Sequence, residues 1–389
     1  MTRVVIAGVG MTPFGRYLNK GVRALASEAI DEALRDAGMG PHQVSRIYFA
    51  NAAAGIITQQ EMIRGQVALR KHALATVPLL NIENACASGG SALSLAYEAV
   101  ESGYAEVALV VGAEQLNHTD KARPFNALRG ATDIEDVGES IPGEVSANSL
   151  LMDFYAAVAQ SYLDQYGASP GDFAMVAVKN RRNAVDNPLA HLRKPQTVEE
   201  VLSSRMIVPP LTLPMCSPTT DGGAALVLCS DSYARRAGCS AVEIIASQVA
   251  SGASGAPVHD AARAAYEKAG IGPGDLSLIE LHDAASPAEL QQYHEIGLCG
   301  EGEGHLLIRA GSTNIDGKIP VNTSGGLLSR GHPLGATGCA QVVELVTQLR
   351  GRAEKRQVRS PRIAMAINGG GWLQGSYALA VATILAKLN

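Results

Sequence analysis

The sequence is poor in aromatic and charged residues and has no basic stripe. Of its 389 residues, 4% are aromatic and 18% are charged, whereas 47% are apolar. This balance excludes an intrinsically disordered chain and allows a large buried core, in which glycine and alanine let helices pack closely on sheets. The net charge of −5 argues against nucleic acid as the main partner.

The sequence also lacks membrane, secretion and zinc-binding patterns. No apolar run reaches the roughly eighteen residues of a membrane span, and the N-terminal segment has the pattern of a strand and turn. We therefore expect a cytoplasmic protein without a membrane span, with reduced cysteines. None of the cysteines forms a CxxC pair or lies at zinc-ligand spacing from histidines, so we expect no metal. The cysteines are Cys86, Cys216, Cys229, Cys239, Cys299 and Cys339.

The chain contains three pairs of similar segments in the same order along the sequence. The pairs are residues 37–47 with 269–279, the segment starting at Cys86 with that starting at Gly335, and residues 107–114 with 363–370. Each half therefore consists of a helix, a strand, a second helix and an apolar strand. Apolar strands that alternate with helices predict sheets covered on both faces. We infer two similar α/β halves about a pseudo-two-fold axis.

A long and more polar insertion separates the two halves. We predict an N-terminal half of residues 1–115 plus 207–237, a loop domain of residues 116–206, and a C-terminal half of residues 238–389. An insertion of this length in a compact protein is commonly functional. We expect it to cover the substrate or to form a contact between subunits.

Cys86 lies in the segment NIENACASGGSALSLA, at a predicted turn from an apolar strand into a helix. The free N–H groups and the positive dipole end of a helix N-terminus favour a thiolate and lower the pKa of the thiol. Backbone N–H groups at such a turn can also bind an oxyanion. An inert buried cysteine is the alternative. The setting favours a nucleophile.

Two histidines are candidates for acting with Cys86. His332 lies in the glycine-rich segment SGGLLSRGHPLGATG, just before the second-half counterpart of the Cys86 turn, where a Cys–His pair would generate a thiolate. Its alternative role is to cap the helix that follows. His282 and Asp283 end an apolar strand, where α/β folds present ligand-binding groups. A neutral His282 can donate a hydrogen bond to a substrate carbonyl, or it can simply bond the following turn.

Gly369 and Gly370 belong to a glycine run that follows the apolar segment RIAMAI. Glycines allow backbone N–H groups to come close to a ligand. A flexible turn uses the same residues, so this run becomes a candidate site only if it lies beside Cys86.

The segments NACASGG, HDA, SGGLLSRGHPLGATG and NGGG together resemble the thiolase superfamily over essentially the whole chain. The HD pair resembles the branch related to the sterol carrier protein (lipid-transfer-type) thiolases. The resemblance implies the thiolase fold, in which two similar βαβαβαββ halves form a five-layered α-β-α-β-α arrangement with an inserted loop domain. It also implies a homodimer or tetramer.

The resemblance assigns roles to the candidate residues. Cys86 would accept an acyl group from coenzyme A thioesters, which are substrates, and no cofactor would be permanently bound. His332 would activate the thiol, and His282 would help to form the oxyanion hole for the enolate alongside His332. Asp283 would orient His282. Backbone amides at the Cys86 turn and near Gly369 would bind the tetrahedral intermediate.

The sequence departs from the family in lacking a second catalytic cysteine. Ile367 and Ala284 occupy the two positions where relatives carry that thiol. We expect a thiolase-like acyl-CoA acyltransferase that uses a Cys acyl-enzyme and cleaves or forms β-ketoacyl-CoA thioesters in lipid metabolism. One alternative, favoured by the missing thiol, is an acyltransferase or carbon–carbon lyase that acts on steroid-like or phenolic substrates with a small OB-fold partner protein. The other is a non-catalytic lipid-thioester-binding protein, and the intact Cys86 and His332 argue against it.

Overall fold

The structure is a computed structural model, and it describes residues 2–135 and 150–388. The strands are β1 Val4–Met11, β2 Arg46–Ala50, β3 Leu79–Ile82, β4 Val107–Glu114, β5 Met206–Val208, β6 Leu211–Thr212, β7 Gly222–Ser230, β8 Val242–Ser251, β9 Leu278–Glu280, β10 Ile363–Gly370 and β11 Leu379–Lys387. The helices of the first half and the insertion are α1 Val22–Ala37, α2 Ala54–Thr58, α3 Arg64–Leu69, α4 Ser88–Glu101, α5 Ala122–Arg129, α6 Leu150–Tyr166, α7 Pro170–Ala184, α8 Val198–Leu202 and α9 Asp231–Ala237. The remaining helices are α10 Pro257–Ala269, α11 Ser286–Glu295, α12 Gly304–Arg309, α13 Gly326–Ser329 and α14 Leu334–Leu349.

The repeat found in the sequence is a repeat of structure. The similar segments 107–114 and 363–370 coincide with β4 and β10, and the other two pairs fall on the starts of β2 and β9 and of α4 and α14. In the first half, β2 pairs in parallel with β4, and β4 pairs antiparallel with β7. In the second half, β9 pairs in parallel with β10, and β10 pairs antiparallel with β11. The predicted two similar α/β halves are confirmed.

The two halves share one nine-stranded sheet of order β3-β2-β4-β7-β1-β8-β11-β10-β9. Three antiparallel pairs between β1 and β8 join the halves. The second half has a single bridge between Ile279 and Val321 where the first half has β3. This pairing ends at once because Asn322 turns into the left-handed conformation, with φ 55°.

Helices α4 and α14 lie between the two halves of the sheet. Along β4, Ala108 and Val110 face the core that contains these two helices. Leu109 and Val111 face the opposite core, which contains α1. Helix α10 covers the outer face of the second half in the same way. These layers form the predicted α-β-α-β-α arrangement of the thiolase fold.

Glycines bring α4 and α14 into direct backbone contact. A Cβ atom on Gly89 would lie 2.8 Å from the carbonyl oxygen of Gly335. A Cβ atom on Gly338 would lie 2.4 Å from the backbone nitrogen of Gly90. Both distances are too short for any side chain, so the crossing of the two helices requires glycine.

The described part of the insertion contains α5, α6, α7 and α8, and β7 then returns the chain to the first half of the sheet. The domain boundaries at residues 115, 206 and 237 stay a prediction. Part of the insertion, residues 136–149, lies outside the described residues. None of the helices within 2–135 and 150–388 has the length and apolarity to cross a membrane.

We predict that Gly338→Ala lowers the free energy of unfolding by about 3 kcal/mol, because overpacking at a backbone contact forces the two central helices apart. Chemical denaturation measures this change. Gly274→Ala is the matched control, since a Cβ atom there meets no atom within 4 Å. Equal stability of the two variants would contradict the role of the glycine crossing.

Candidate active site

Cys86 lies on a strained turn that leads from β3 into α4. The preceding residue, Ala85, has φ 48°, which is unfavourable for an alanine. The hydroxyl of Ser88 supports the turn, because it donates to the Ala85 carbonyl at 2.6 Å and accepts from the Asn84 amide at 2.9 Å. These hydrogen bonds hold the strained turn, which places Cys86 at the N-terminus of α4, as the sequence predicts.

Cys86, His282 and His332 form one buried cluster. One ligand atom of each residue lies within 4.8 Å of those of the other two. The two imidazole rings are 5.1 Å apart between centroids and nearly perpendicular, at 82°. Because Cys86 precedes α4 and His332 precedes α14, the glycine crossing brings the nucleophile and the histidine together.

Asn368, at the end of β10, ties this cluster together. Its side-chain nitrogen donates to the Cys86 carbonyl at 3.0 Å and lies 3.4 Å from Nδ1 of His282. Its side-chain oxygen accepts from the Gly90 amide at 3.1 Å. Since the amide nitrogen is the donor, Nδ1 of His282 is the acceptor and Nε2 carries the proton. His282 is therefore arranged to donate a hydrogen bond.

His332 has the opposite tautomer. Its Nδ1 lies 2.7 Å from Oγ1 of Thr337, and that hydroxyl already donates to the Pro333 carbonyl at 3.0 Å. Nδ1 must therefore be the donor, which leaves Nε2 as a proton acceptor. Nε2 is buried and has no hydrogen-bond partner among the described residues. An unpaired basic nitrogen beside a thiol is suited to accept its proton.

All three groups of the cluster are held in their neutral forms. Burial, with a smaller contribution from the Glu114 carboxylate, raises the pKa of the Cys86 thiol to about 12. Burial and the Arg330 guanidinium lower the pKa of His282 to about 3. Burial, the neighbouring His282 and Arg330 hold the pKa of His332 well below its usual value.

The predicted lowering of the Cys86 pKa is therefore wrong. Apolar side chains surround the thiol, among them those of Ala53, Ile57, Leu116 and Leu334. Loss of hydration disfavours the thiolate by more than the helix N-terminus favours it. The thiol must lose its proton during the reaction rather than before it.

Glu114 supports the site and is not among the residues predicted from the sequence. This buried carboxylate accepts hydrogen bonds from the backbone amides of Ala52, Ala53 and Gly335 and from the side chain of Asn51, at 2.7–3.1 Å. Burial raises its pKa to about 7. The bond to Gly335 fixes the first turn of α14, just after His332. A carboxylate at the end of an otherwise apolar strand is a signal that could have revealed it.

Asp283 acts on a loop rather than on His282. Its carboxylate accepts from the backbone amides of Leu327 at 2.7 Å and Leu328 at 3.3 Å, and from the side chain of Asn180 at 2.8 Å. These bonds hold α13, which leads to His332. The prediction that Asp283 orients His282 is therefore wrong, because its carboxylate bonds α7 and α13. The backbone N–H and C=O of His282 instead bond the side chain of Gln292, at 3.0 and 2.9 Å.

Gly369 and Gly370 lie in β10, beside the Cys86 turn. A Cβ atom on Gly370 would lie 2.3 Å from the Asn84 carbonyl oxygen, so only glycine lets the strand contact the turn. A Cβ atom on Gly369 would lie 2.9 Å from the ring of Tyr377. Both glycines are thus required for packing. That their backbone amides donate hydrogen bonds to an oxyanion stays a prediction.

Aromatic residues from the insertion and from the segment after β10 form a wall beside His282. The Trp372 ring lies 5.3 Å from that of Phe154 and 5.5 Å from that of Tyr155. The ring of Tyr377 lies 5.5 Å from that of His282. Because α6 supplies two of these side chains, the insertion reaches the cluster.

No second thiol joins the cluster within residues 2–135 and 150–388. Ile367 and Ala284 are buried apolar residues, as expected from their side chains. The thiol of Cys216 is directed to the Thr212 carbonyl at 3.6 Å. The structure therefore offers two histidines, and no additional cysteine, for proton transfer.

Two protein-family profiles match most of the chain. The thiolase N-terminal domain matches residues 4–202, and a thiolase C-terminal domain-like profile matches residues 243–384. An acetyl-CoA acetyltransferase of Methanothermobacter thermautotrophicus is 39% identical over 95% of this chain and 97% of its own length. The benzoylsuccinyl-CoA thiolase subunit BbsB of Thauera aromatica is 37% identical over 95% of each chain. Human sterol carrier protein 2 is 33% identical over 95% of this chain and 70% of its own length.

Solved structures with the same fold extend over the whole chain. The Ltp2–ChsH2(DUF35) aldolase has a TM-score of 0.80 at 26% identity and covers 99% of this chain and 98% of its own. Human mitochondrial 3-ketoacyl-CoA thiolase has a TM-score of 0.77 at 18% identity, covering 100% and 99%, which shows the fold alone. The similarities extend through both halves and the insertion. The chain belongs to the thiolase family, related to the sterol carrier protein branch, and is an acyltransferase of the thiolase type.

Proposed function

We propose that the protein carries an acyl group as a thioester on Cys86 and exchanges it with coenzyme A thioesters. The observation that carries this proposal is that Nε2 of His332, in the same buried cluster as the Cys86 thiol, has no hydrogen-bond partner in the described part of the chain. Coenzyme A compounds act here as substrates, and no cofactor stays bound. A cytoplasmic location is part of the proposal.

The neutral groups determine the order of the proton transfers. As Sγ of Cys86 attacks the thioester carbon, its proton moves to Nε2 of His332. The oxyanion of the tetrahedral intermediate is bound by backbone amides at the Cys86 turn and near Gly369, and the Nε2–H of His282 binds the enolate oxygen in the step that follows. When the bond to the coenzyme A sulfur breaks, that sulfur takes the proton from His332. The imidazole is then neutral again and can act as a base on the second substrate.

A second candidate is carbon–carbon bond cleavage with a partner protein. Two observations favour it: the lack of a second thiol in the cluster and the similarity to the Ltp2–ChsH2(DUF35) aldolase. BbsB, another relative, is a subunit. Such a partner would be a small OB-fold protein, and the substrate a steroid-like or phenolic acyl thioester. In a non-catalytic thioester-binding protein, by contrast, Cys86 would take up no acyl group.

We expect intact-mass measurements to show one acyl group on Cys86 after incubation with acetyl-CoA or acetoacetyl-CoA. Cys86→Ser should take up none at that position, and His332→Asn should be acylated about 10³-fold more slowly, because a general base is lost. Cys299→Ser, a half-buried thiol outside the cluster, is the control and should behave as the wild type.

The same experiment separates the candidates. An adduct together with thiolysis of acetoacetyl-CoA supports the thiolase reaction. An adduct without thiolysis favours the second candidate. If several acyl-CoAs leave an accessible Cys86 unmodified, both enzyme functions are wrong.

The raised thiol pKa predicts a specific pH dependence of alkylation. Below a pKa of about 12, the thiolate fraction of Cys86 increases about tenfold per pH unit. The rate of carbamidomethylation of the Cys86 peptide by iodoacetamide should therefore rise steadily from neutral pH to about pH 10. Mass spectrometry of quenched samples measures it. A plateau near neutral pH would instead indicate a preformed thiolate.

A homodimer is part of the proposal because β3 is an edge strand. Within the described residues, β3 pairs with β2 alone, and its residue Leu80 is 48% exposed. Met62 and Ile63, just before the adjacent α3, are 75% and 60% exposed. A free edge strand with exposed apolar neighbours favours pairing with a second copy.

Light scattering should give a dimer mass, or that of a tetramer built from dimers, for the wild type. Leu80→Asp should dissociate the dimer, because it places a carboxylate on the paired edge. Leu306→Asp is the control, since Leu306 is equally exposed, at 49%, but lies on α12. A dimeric Leu80→Asp variant would exclude β3 as the interface.

A further inference from the structure

The catalytic cluster has the composition of a metal site. Cys86, His282 and His332 offer one sulfur and two imidazole nitrogens, all within 4.8 Å of one another. We propose that the resting enzyme binds one Zn²⁺ ion through these three side chains, and that the bound ion blocks acylation. The inhibitory part rests on the proposed function, whereas metal binding rests on the geometry alone.

The distances are close to those of a zinc site. With Zn–S of about 2.3 Å and Zn–N of about 2.0–2.1 Å, the ligand atoms of a tetrahedral site lie about 3.4–3.6 Å apart. Side-chain movements of about 1 Å bring the three atoms into this range, starting from separations of at most 4.8 Å. Three protein ligands leave a fourth position for water, as in open zinc sites.

His332 is already arranged as a zinc ligand. Its Nε2 is buried and has no hydrogen-bond partner within residues 2–135 and 150–388, and its Nδ1–H donates to Oγ1 of Thr337 at 2.7 Å. Zinc-bound histidines have this arrangement, in which the second ring nitrogen donates to an oxygen that fixes the ring. His282 is the weaker ligand, because its Nε2 must first lose its proton to Nδ1. After that change, Nδ1 of His282 no longer accepts a hydrogen bond from the side-chain nitrogen of Asn368, which lies 3.4 Å away. The change therefore costs one long hydrogen bond.

The ligand types select the metal. A thiolate and two neutral imidazoles bind Zn²⁺ or Co²⁺ and disfavour Mg²⁺ and Ca²⁺, which prefer oxygen ligands. The complex with Zn²⁺ carries one net positive charge, which Glu114 near Cys86 favours and the Arg330 guanidinium near the two histidines disfavours, so the ligand types decide the selectivity. On binding, the thiol proton is released to solvent.

Metal binding and acylation exclude each other. The bound ion occupies the sulfur lone pair that attacks the thioester and the Nε2 that accepts the proton. Conversely, an acylated Cys86 has a thioester sulfur, which is a poor ligand because it carries no charge. The ion would thus inhibit the free enzyme but would bind poorly to the acyl-enzyme. Sequence spacing does not reveal this site, because its ligands lie on three distant segments.

Titration of the chelator-stripped protein with Co²⁺ tests the proposal. We expect one equivalent to bind, with the near-ultraviolet charge-transfer band of a cobalt–thiolate bond and the visible bands of a tetrahedral site. Zn²⁺ should abolish the spectrum. Cys86→Ser should lose the charge-transfer band, and His332→Asn should bind at least about tenfold more weakly. Cys299→Ser, with its half-buried thiol, is the control and should give the wild-type spectrum.

A second measurement does not depend on any variant folding correctly. Wild-type protein alkylated at Cys86 by iodoacetamide should show no cobalt–thiolate band. If this band persists after alkylation, or if no metal binds in molar excess, the proposed site does not exist. If the metal binds but Zn²⁺ leaves the rate of acyl-adduct formation unchanged, the inhibitory role is wrong. Because acylation is measured in chelator-stripped protein, failure of the acyl-transfer proposal is seen separately.

Discussion

The backbone contact between α4 and α14 is the constraint on which the rest of the structure depends. Each helix begins just after a reactive side chain, and each is covered by one half of the sheet. Only glycine at Gly89 and Gly338 allows the two helices to come so close. The same contact brings Cys86 and His332 into one buried cluster, and burial then makes both groups neutral. Packing therefore determines the chemistry of the site as well as its geometry.

Much of this arrangement could be predicted from the sequence because it follows from local patterns. The repeated segments fall on equivalent strands and helices, and the turn before α4 could be recognised from its small residues. The glycine-rich loop around His332 and the polar end of β9 at His282 indicated the other two members of the cluster. Family resemblance then supplied the layered fold. These features depend on short stretches of sequence, each of which has its own signature.

The features that sequence analysis missed depend on contacts between distant segments. The pKa of Cys86 is raised by burial among apolar groups that are far apart in the sequence, so the helix N-terminus alone gave the wrong direction. Asp283 was assigned to its neighbour His282, yet its partners lie on α7 and α13. Asn368 holds the cluster through the Cys86 carbonyl and the Gly90 amide, and such backbone contacts leave no residue pattern to recognise. Glu114 also acts through backbone amides, and its only signal in the sequence is a carboxylate at the end of an apolar strand. The single sheet follows from three residue pairs between β1 and β8.

The internal repeat has a consequence for the pairing of nucleophile and base. The nucleophile belongs to one half and the base to the other, each immediately before its central helix. Neither half alone contains both groups. A half-length protein could bring two such helix starts together only by associating with another copy of itself, and both helix starts would then carry the same residues. Two similar halves in one chain allow one helix start to carry a cysteine and the other a histidine.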